Sequence, residues 1–218
     1  MTDAFYTAGL SIRLMRLVRL AISLIVVSLL GACALWKPAP PQNAQNLCAI
    51  FKEKPSWYKS AKEAEKRWGS PISTTMAFVF HESSFRARIR PPRRDGFWIF
   101  PGKRMSSAYG YAQAQTSTWK WYQKSTGRHR AERHSFADAV DFIGWYNHYS
   151  HTKHGISLMS PKLLYFAYHE GHGGYSRASY RTKPALIKTA DRVMNTASKY
   201  KKQLANCRAQ LDRPWWKF

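Results

Sequence analysis

Acidic residues are scarce in this chain of 218 residues. It contains 12 Asp and Glu against 35 Lys and Arg, which gives a formal net charge of +23 at pH 7. Such an imbalance indicates a polyanionic neighbourhood: nucleic acid, an anionic membrane face, or a cell wall that carries peptide carboxylates. Because the charge is spread along the chain and not gathered in a basic tail, part of it is expected on solvated surface.

Strand-like alternation of polar and apolar residues is also missing, and the chain has no internal repeat. Apolar residues recur instead at helical spacing, for example from Trp57 to Trp68, where Gly69 is placed to end the helix. About 170 residues of this kind fit one mainly α globular domain with a single core.

The N-terminus has the pattern of an export signal. An arginine-containing segment precedes an apolar run at residues 20–30 that is too short to span a bilayer comfortably. The run ends in Leu30-Gly31-Ala32-Cys33, which resembles a bacterial lipobox. The resemblance implies that residues 1–32 are a lipoprotein signal peptide and that Cys33 is acylated. An ordinary signal peptide or membrane anchor is the alternative, and either Met1 or Met15 could be the start.

Residues 33–46 are predicted to form a lipid-anchored flexible tether, because their Pro, Ala, Gln and Asn cannot build a core. Ala34 stands where an inner-membrane retention signal would have aspartate, so we expect the periplasmic side of the outer membrane. Without residues 1–32 the formal charge is still +21. No nucleic acid is expected in that compartment, whereas cell-wall glycan with its peptide carboxylates is.

Only three cysteines occur, and two of them, Cys48 and Cys207, lie near the ends of the folded part, residues 47–218. In an oxidising periplasm they are predicted to form a disulfide, with two unrelated buried thiols as the alternative. Closing so long a loop would stabilise the fold by about 5 kcal/mol in the chain-entropy model.

The stretch from Phe78 to Phe85 is an apolar run that ends on one carboxylate, Glu82. Ser70-Pro71 predicts an N-cap and first helical residue upstream, so Glu82 should lie near the C-terminal end of a largely buried helix. Burial and the negative end of the helix dipole both disfavour the charged carboxylate and should raise its pKa. A carboxyl that stays protonated near neutral pH is what a general acid requires.

Two further motifs follow in order, Ser106 to Gln113 with its Gly-x-x-Gln turn and Leu164 to Gly171 with its Ala-Tyr-His-Glu-Gly segment. Together with Glu82-Ser83-Ser84-Phe85 they resemble the soluble-lytic-transglycosylase (SLT) domain of the lysozyme-like superfamily. The resemblance covers roughly residues 55–200. It implies a lysozyme-like single domain with peptidoglycan as the substrate. No cofactor is expected.

The resemblance also implies roles for individual residues. Glu82 would be the lone catalytic acid/base, which suffices where the 2-acetamido group of the sugar replaces a second carboxylate. Cleavage of the β-1,4 bond between N-acetylmuramic acid and N-acetylglucosamine would then leave 1,6-anhydro ends. The residues expected to position Glu82 or bind the substrate are Ser83, Ser107, Tyr109, Gly110, Gln113, Tyr168 and Glu170.

The chain departs from the family pattern in two places. His169 replaces the usual Asn, and the adjacent Glu170 could be either an ion-paired structural residue or a second carboxylate, which would make the enzyme a lysozyme-type hydrolase.

The segment 86–105 is long for the family. Its arginines and Trp98 could bind glycan and peptide carboxylates, or it could be a solvated flap; the residues concerned are Arg93, Arg94, Trp98 and Arg104. A basic cell-wall-binding lipoprotein without catalysis is a further alternative.

The histidines are spaced as some metal ligands are, at 169 and 172 and at 148, 151 and 154. The second set lies in a polar stretch, residues 147–155, that is predicted to be a loop. Surface and helix-end histidines explain both sets, so no metal is expected.

Overall fold

The computed structural model describes residue 19, residues 38–93, residue 102 and residues 104–213. From Ala39 onward the chain folds as one compact unit. The predicted signal peptide except residue 19, the first five residues of the tether (33–37) with Cys33, and Arg94 and Trp98 lie outside the described residues.

The described residues form a mainly helical domain. Seven α-helices and one short 3-10 helix follow one another along the chain: α1 (Leu47–Glu53), α2 (Pro55–Trp68), α3 (Ile72–Ser83), α4 (Thr116–Thr126), α5 (Phe136–His154), α6 (Pro161–Ser176), the 3-10 helix (Ser179–Thr182) and α7 (Pro184–Leu211). Two isolated bridges, Arg93 with Arg104 and Tyr109 with Ala114, are the β-type pairings among these residues. The predicted fold class, mainly α with a single domain, is confirmed.

Helix α3 runs through the core and is buried on almost every side, with neighbours in α2, α5 and α7. The prediction that Ser70 caps this helix is wrong. The helix begins one residue later than expected, at Ile72, whose N–H donates to Glu65 Oε1 at 2.9 Å. Ser70 Oγ instead accepts from Asn147 Nδ2 at 3.0 Å, because the side chain is buried against α5.

An aromatic cluster joins the segments that follow α3 to the helices before and after them. Trp57 stacks on Phe136 with 3.9 Å between ring centroids, and Tyr111 meets both rings edge-on. Phe85 lies against the same tryptophan at 5.7 Å. The turn after Glu82 and the loop that carries Gly110 and Gln113 are therefore packed on one rigid centre.

Cys48 and Cys207 form a disulfide that ties α1 to α7, as the sequence predicted. The end of the predicted tether also lies against α7. Gln203 Nε2 donates to the Gln45 carbonyl at 3.1 Å, and the Tyr200 hydroxyl donates to that of Ala44. Both ends of the domain are thus held together by one disulfide and several hydrogen bonds.

The prediction of a loop at residues 147–155 is wrong. Helix α5 continues to His154 and ends at Gly155, which has a φ of 66°. Buried Asn147 and Ser150 hold this part of the helix against the core, so tertiary contacts outweigh its polar composition. Among the described residues, no helix combines the length and apolar character needed to cross a bilayer.

Candidate active site

Glu82 lies in the last turn of α3 and faces a cavity of about 470 Å³. The walls come from three places: the loop before α4, the start of α4 with one face of α5, and the middle of α6. The lining residues are Glu82, Ala108, Gln113, Ala114, Gln115, Thr118, Phe142, Tyr146, Tyr168, His169, Glu170 and Gly171. Two carboxyl groups, one histidine and two tyrosines therefore share one cavity.

The backbone after Glu82 turns sharply, which fixes where the carboxyl group lies. Ser84 and Phe85 both have left-handed backbones, with φ of 50° and 59°. Such a conformation costs energy in a residue with a side chain, and here the complete burial of the Phe85 ring offsets it. Ser83 is also buried, and its Oγ donates to the Val79 carbonyl at 3.0 Å. Ser83 thus supports the helix end from within and does not line the cavity.

Burial raises the pKa of the Glu82 carboxyl to about 7, and a hydrogen bond from the Tyr165 hydroxyl opposes part of that rise. Desolvation is the dominant cause, because it penalises the carboxylate relative to the neutral acid. The rise predicted from the sequence is confirmed. Near neutral pH both forms of Glu82 are populated, so the group can give up a proton and take one back.

Two tyrosines one helical turn apart on α6 surround this carboxyl. Tyr165 and Tyr168 both meet the Phe78 ring edge-on, at 5.3 and 5.2 Å. The Tyr168 hydroxyl donates to the Ala112 carbonyl at 2.5 Å, which ties α6 to the loop before α4. Sequence reasoning named Tyr168 and missed Tyr165. The three-residue spacing, which places both on one helix face, was the available signal.

The loop before α4 is held by backbone geometry at two positions. Gly110 has a φ of 80°, and a Cβ there would lie 2.0 Å from the Arg133 carbonyl oxygen, so no side chain fits. Gln113 also has a left-handed backbone, with a φ of 46°, and its Nε2 donates to the carbonyls of Gly110 at 2.8 Å and Ile89 at 3.2 Å. With its nitrogen engaged, Gln113 presents its side-chain oxygen as the group free to accept a hydrogen bond.

Ser107 and Tyr109, also named from the sequence, lie beside the cavity and do not line it. Ser107 Oγ accepts from the Thr116 N–H at 3.1 Å, at the start of α4. The Tyr109 ring is contacted by the guanidinium groups of Arg90 and Arg133. Sequence reasoning missed several residues that line the cavity: Ala114, Gln115, Thr118, Phe142 and Tyr146. They carry no local motif, because tertiary packing, including that of α4 on α5, brings them together.

Glu170 is the second carboxyl in the cavity, and it is held as an ion. Lys183 Nζ lies 2.7 Å from its Oε2, the Ser179 hydroxyl donates to the same oxygen, and His169 Nδ1 lies 3.2 Å from its Oε1. These hydrogen bonds, those from Lys183 and Ser179 above all, lower the pKa of Glu170 to about 2. The two carboxyls therefore differ in charge at neutral pH: Glu170 is ionised, whereas both protonation states of Glu82 are populated.

The histidines serve packing: His148 and His151 accept or donate locally, whereas His154 and His172 stack on each other with 5.4 Å between ring centroids. His148 Nδ1 lies 3.2 Å from the Trp68 carbonyl oxygen and His151 Nδ1 lies 2.8 Å from that of Ile156. His172 follows the kink at Gly171 and stacks on Tyr146 at 4.4 Å, and its burial lowers its pKa to about 4. Within residues 38–93 and 104–213, no three His, Cys, Asp or Glu side chains group as a metal site would require.

The long segment 86–105 is described at its two ends. Arg93 Nη1 donates to the Gly102 carbonyl at 3.3 Å, and Arg104 Nη1 donates to that of Pro91 at 2.8 Å. Arg93 and Arg104, two of the four residues expected to bind glycan, therefore connect the two ends of the segment 86–105 by hydrogen bonds.

A scan of protein-family models matched the transglycosylase SLT domain over residues 21–207. The chain belongs to this family. Comparisons with curated proteins and with solved structures gave no match. Membership establishes a lysozyme-like helical fold and a transglycosylase-type activity that cleaves glycosidic bonds, with peptidoglycan glycan as the substrate.

Proposed function

We propose that this SLT-domain enzyme is a lytic transglycosylase that cleaves the β-1,4 bond between N-acetylmuramic acid and N-acetylglucosamine and leaves 1,6-anhydro ends. The observation that carries the proposal is the unequal pair of carboxyls in one cavity. Glu82 has a pKa of about 7, whereas Glu170 is ionised and engaged by Lys183 and Ser179. One group that both gives and takes a proton is what the intramolecular route needs.

In the first step, protonated Glu82 gives its proton to the glycosidic oxygen as the bond from that oxygen to the anomeric carbon breaks. The carbonyl oxygen of the 2-acetamido group attacks the anomeric carbon and takes the place of a protein nucleophile. In the second step, the Glu82 carboxylate removes the proton of the C6 hydroxyl. That oxygen displaces the acetamido oxygen and closes the anhydro ring, so no water is consumed and Glu82 is protonated again.

The environment of Glu82 suits both steps. A pKa near the working pH gives a useful fraction of the acid for the first step and of the base for the second. Tyr168, Gln113 and the backbone of the Gly110 turn are proposed to hold the sugar rings, with Tyr165 orienting the Glu82 carboxyl. Ser83 stabilises the end of α3 that carries Glu82, through its hydrogen bond to the Val79 carbonyl. Ser107 stabilises the start of α4 by accepting from the Thr116 N–H.

Glu170 is proposed to position His169 and not to act as a nucleophile. Its carboxylate already accepts hydrogen bonds from a lysine, a serine and a histidine, and its side chain is only 5% exposed. A nucleophile would have to give up these partners to reach an anomeric carbon. His169, in the place of the family's usual Asn, keeps one ring nitrogen toward Glu170, which leaves the other for the substrate.

The enzyme is further proposed to be a lipoprotein on the periplasmic side of the outer membrane, attached through Cys33. The Leu30-Gly31-Ala32-Cys33 pattern and Ala34 support this assignment. The Cys48–Cys207 disulfide agrees with an oxidising compartment, where such bonds persist.

Mass spectrometry of digested cell wall tests the proposed reaction. Wild-type enzyme should release muropeptides that end in 1,6-anhydro-N-acetylmuramic acid, each lighter by one water than a hydrolase product. Glu82→Gln cannot deliver a proton and should reduce turnover by roughly a hundredfold or more. Binding to wall should survive, because the rest of the cavity is untouched. Reducing ends alone would establish the lysozyme-type hydrolase, and binding without release would establish a non-catalytic wall-binding protein.

A further inference from the structure

Two positively charged guanidinium groups share one aromatic ring beside the active-site cavity. The guanidinium carbons of Arg90 and Arg133 lie 4.2 and 5.3 Å from the centroid of the Tyr109 ring. We call Arg90 and Arg133 the arginine pair. Burial lowers the pKa of Arg133, and the positive charge of Arg90 lowers it further, so the two cations repel each other.

The two members of the pair are held differently. Arg133 is anchored, because its Nη1 donates to the carbonyls of Ser107 at 2.8 Å and Ala114 at 2.9 Å. Arg90 is exposed, and within residues 38–93 and 104–213 no hydrogen bond or ion pair holds its side chain. Stacking on Tyr109 thus keeps the guanidinium group of Arg90 beside the anchored guanidinium group of Arg133.

In the described part of the chain, no carboxylate oxygen lies within 4.0 Å of a guanidinium nitrogen of Arg90 or Arg133. The acidic neighbour in sequence, Glu132, is engaged by His134, with 3.1 Å between Oε2 and Nε2. Two adjacent cations without a counterion form a site of high positive potential. A guanidinium group is also suited to bind a carboxylate through two parallel hydrogen bonds.

The position of the pair connects it to the cavity. Tyr109 lies between Ala108, which lines the cavity, and Gly110, and it forms a bridge with Ala114, which lines the cavity as well. Arg133 donates directly to the Ala114 carbonyl. An anion bound by the arginine pair would therefore sit at the rim of the cavity that holds Glu82.

We propose that the arginine pair binds a carboxylate of the wall peptide, so that the enzyme prefers glycan strands that still carry peptides over strands stripped of them. This inference rests on the proposed function, because it assigns a subsite to the same substrate. The saccharide backbone itself supplies no such anion once each lactyl group is joined to a peptide, whereas the peptides carry free carboxylates. An amidase leaves a free lactyl carboxylate on each stripped N-acetylmuramic acid, so both ligands carry anions. The comparison therefore tests where the recognised carboxylate lies, on the peptide or at the sugar ring.

Binding is best measured with Glu82→Gln protein, so that the substrate stays intact. Peptide-bearing wall and glycan strands freed of peptide by an amidase are compared as ligands. Adding Arg90→Gln should weaken binding to peptide-bearing wall roughly tenfold and change binding to bare strands by less than about twofold. The tenfold difference should shrink with added salt. Arg88→Gln removes the same charge from an exposed position in the same segment and should have no selective effect.

Three results would overturn the inference. Arg90→Gln could weaken both ligands equally, or Arg88→Gln could match its effect, which would show general attraction by a basic surface. Asp95 is the acidic residue of the segment 86–105, and tighter binding of the Asp95→Asn protein to peptide-bearing wall would show that an internal carboxylate already neutralises the pair. The proposed function is judged separately, by whether wild-type enzyme releases anhydro products from either ligand. Unchanged circular dichroism and thermal midpoint of the Arg90→Gln protein establish that it folds.

Discussion

Lys183 Nζ lies 2.7 Å from Oε2 and 2.9 Å from Oε1 of Glu170, so a lysine just before α7 holds the second carboxylate of the active-site cavity in its charged form. Glu82, in the same cavity, has no lysine or arginine partner among the described residues and is instead desolvated. The two environments move the pKa values of two like groups in opposite directions, to about 2 and about 7. This contrast underlies the assignment of Glu82 as the acid/base.

Replacement of Glu82 by Gln should stabilise the protein at high pH. The folded-state pKa of about 7 lies above the ordinary value of 4.5, so the favourable contribution of the neutral acid is complete below pH 4.5 and is lost as pH rises through 7. Above pH 7 the wild type buries a charge that the Gln variant does not. The variant should then be more stable by about 2–3 kcal/mol.

Thermal or urea unfolding of both proteins between pH 4 and pH 9 measures this difference directly. The advantage of Glu82→Gln should vanish near pH 4.5, grow between pH 4.5 and 7, and then stay level. A difference that does not vary with pH would show that Glu82 titrates normally and would remove the physical basis of its proposed role.

Replacement of Glu170 by Gln should affect stability more than chemistry. Its folded-state pKa of about 2 lies below the ordinary value of 4.5, so its contribution to stability is present above pH 4.5 and is lost as pH falls toward 2. At pH 7 the Glu170→Gln variant should unfold at a lower temperature than the wild type. Near pH 2 the two unfolding temperatures should be equal. Turnover should fall by less than about tenfold, far less than for Glu82→Gln.

Lys183→Met serves as the matched variant for this test. It removes the main partner of Glu170 and leaves the carboxyl in place, so it should lower stability at pH 7 in the same direction. If Glu170→Gln lowers turnover as much as Glu82→Gln while Lys183→Met does not, Glu170 is a second catalytic carboxylate and the positioning role is wrong.

Replacement of Gly110 by Ala should distort the loop that lines the cavity. The Cβ would lie 2.0 Å from the Arg133 carbonyl oxygen, and the φ of 80° is unfavourable for any residue with a side chain. We expect a loss of about 2 kcal/mol or more in stability, together with a loss of turnover.

Gly127→Ala separates the cost of a side chain at positive φ from the cost of the steric clash with Arg133. Gly127 has a φ of 71° at the end of α4, and nothing lies within 4 Å of the position that its Cβ would take. Only the backbone cost of about 1 kcal/mol should remain, with turnover unchanged. Equal effects of the two variants would mean that the close approach to Arg133 has no influence on the active site.

Replacement of Cys33 by Ser tests the lipid anchor. The change removes the thiol that the lipobox pattern predicts to be acylated, so the protein should remain an unprocessed precursor or appear as a soluble species. Metabolic labelling with radioactive palmitate, followed by membrane fractionation, checks this. Label that is still incorporated into a processed Cys33→Ser protein would contradict the assignment.

Local signals in the sequence were sufficient for the helical class, for the placement of Glu82 at a helix end, and for the end of α2 at Gly69. These features depend on hydrophobic spacing, proline and glycine within a few residues. The Cys48–Cys207 disulfide was predicted as well, because only two cysteines remain in the folded part. The same local signals failed at residues 147–155, where burial of Asn147 and Ser150 extends a helix through a polar stretch.

The raised pKa of Glu82 was predicted from the sequence, whereas tertiary structure alone decided the rest of the electrostatics of the active site. The sequence left Glu170 open between an ion pair and a catalytic role, and the contact with Lys183, thirteen residues away between the 3-10 helix and α7, supports the ion pair. The Tyr165 hydroxyl at Glu82 and the arginine pair on Tyr109 likewise join segments far apart in the chain. A pKa depends on desolvation and on charges within a few ångströms, and packing, not sequence spacing, determines both.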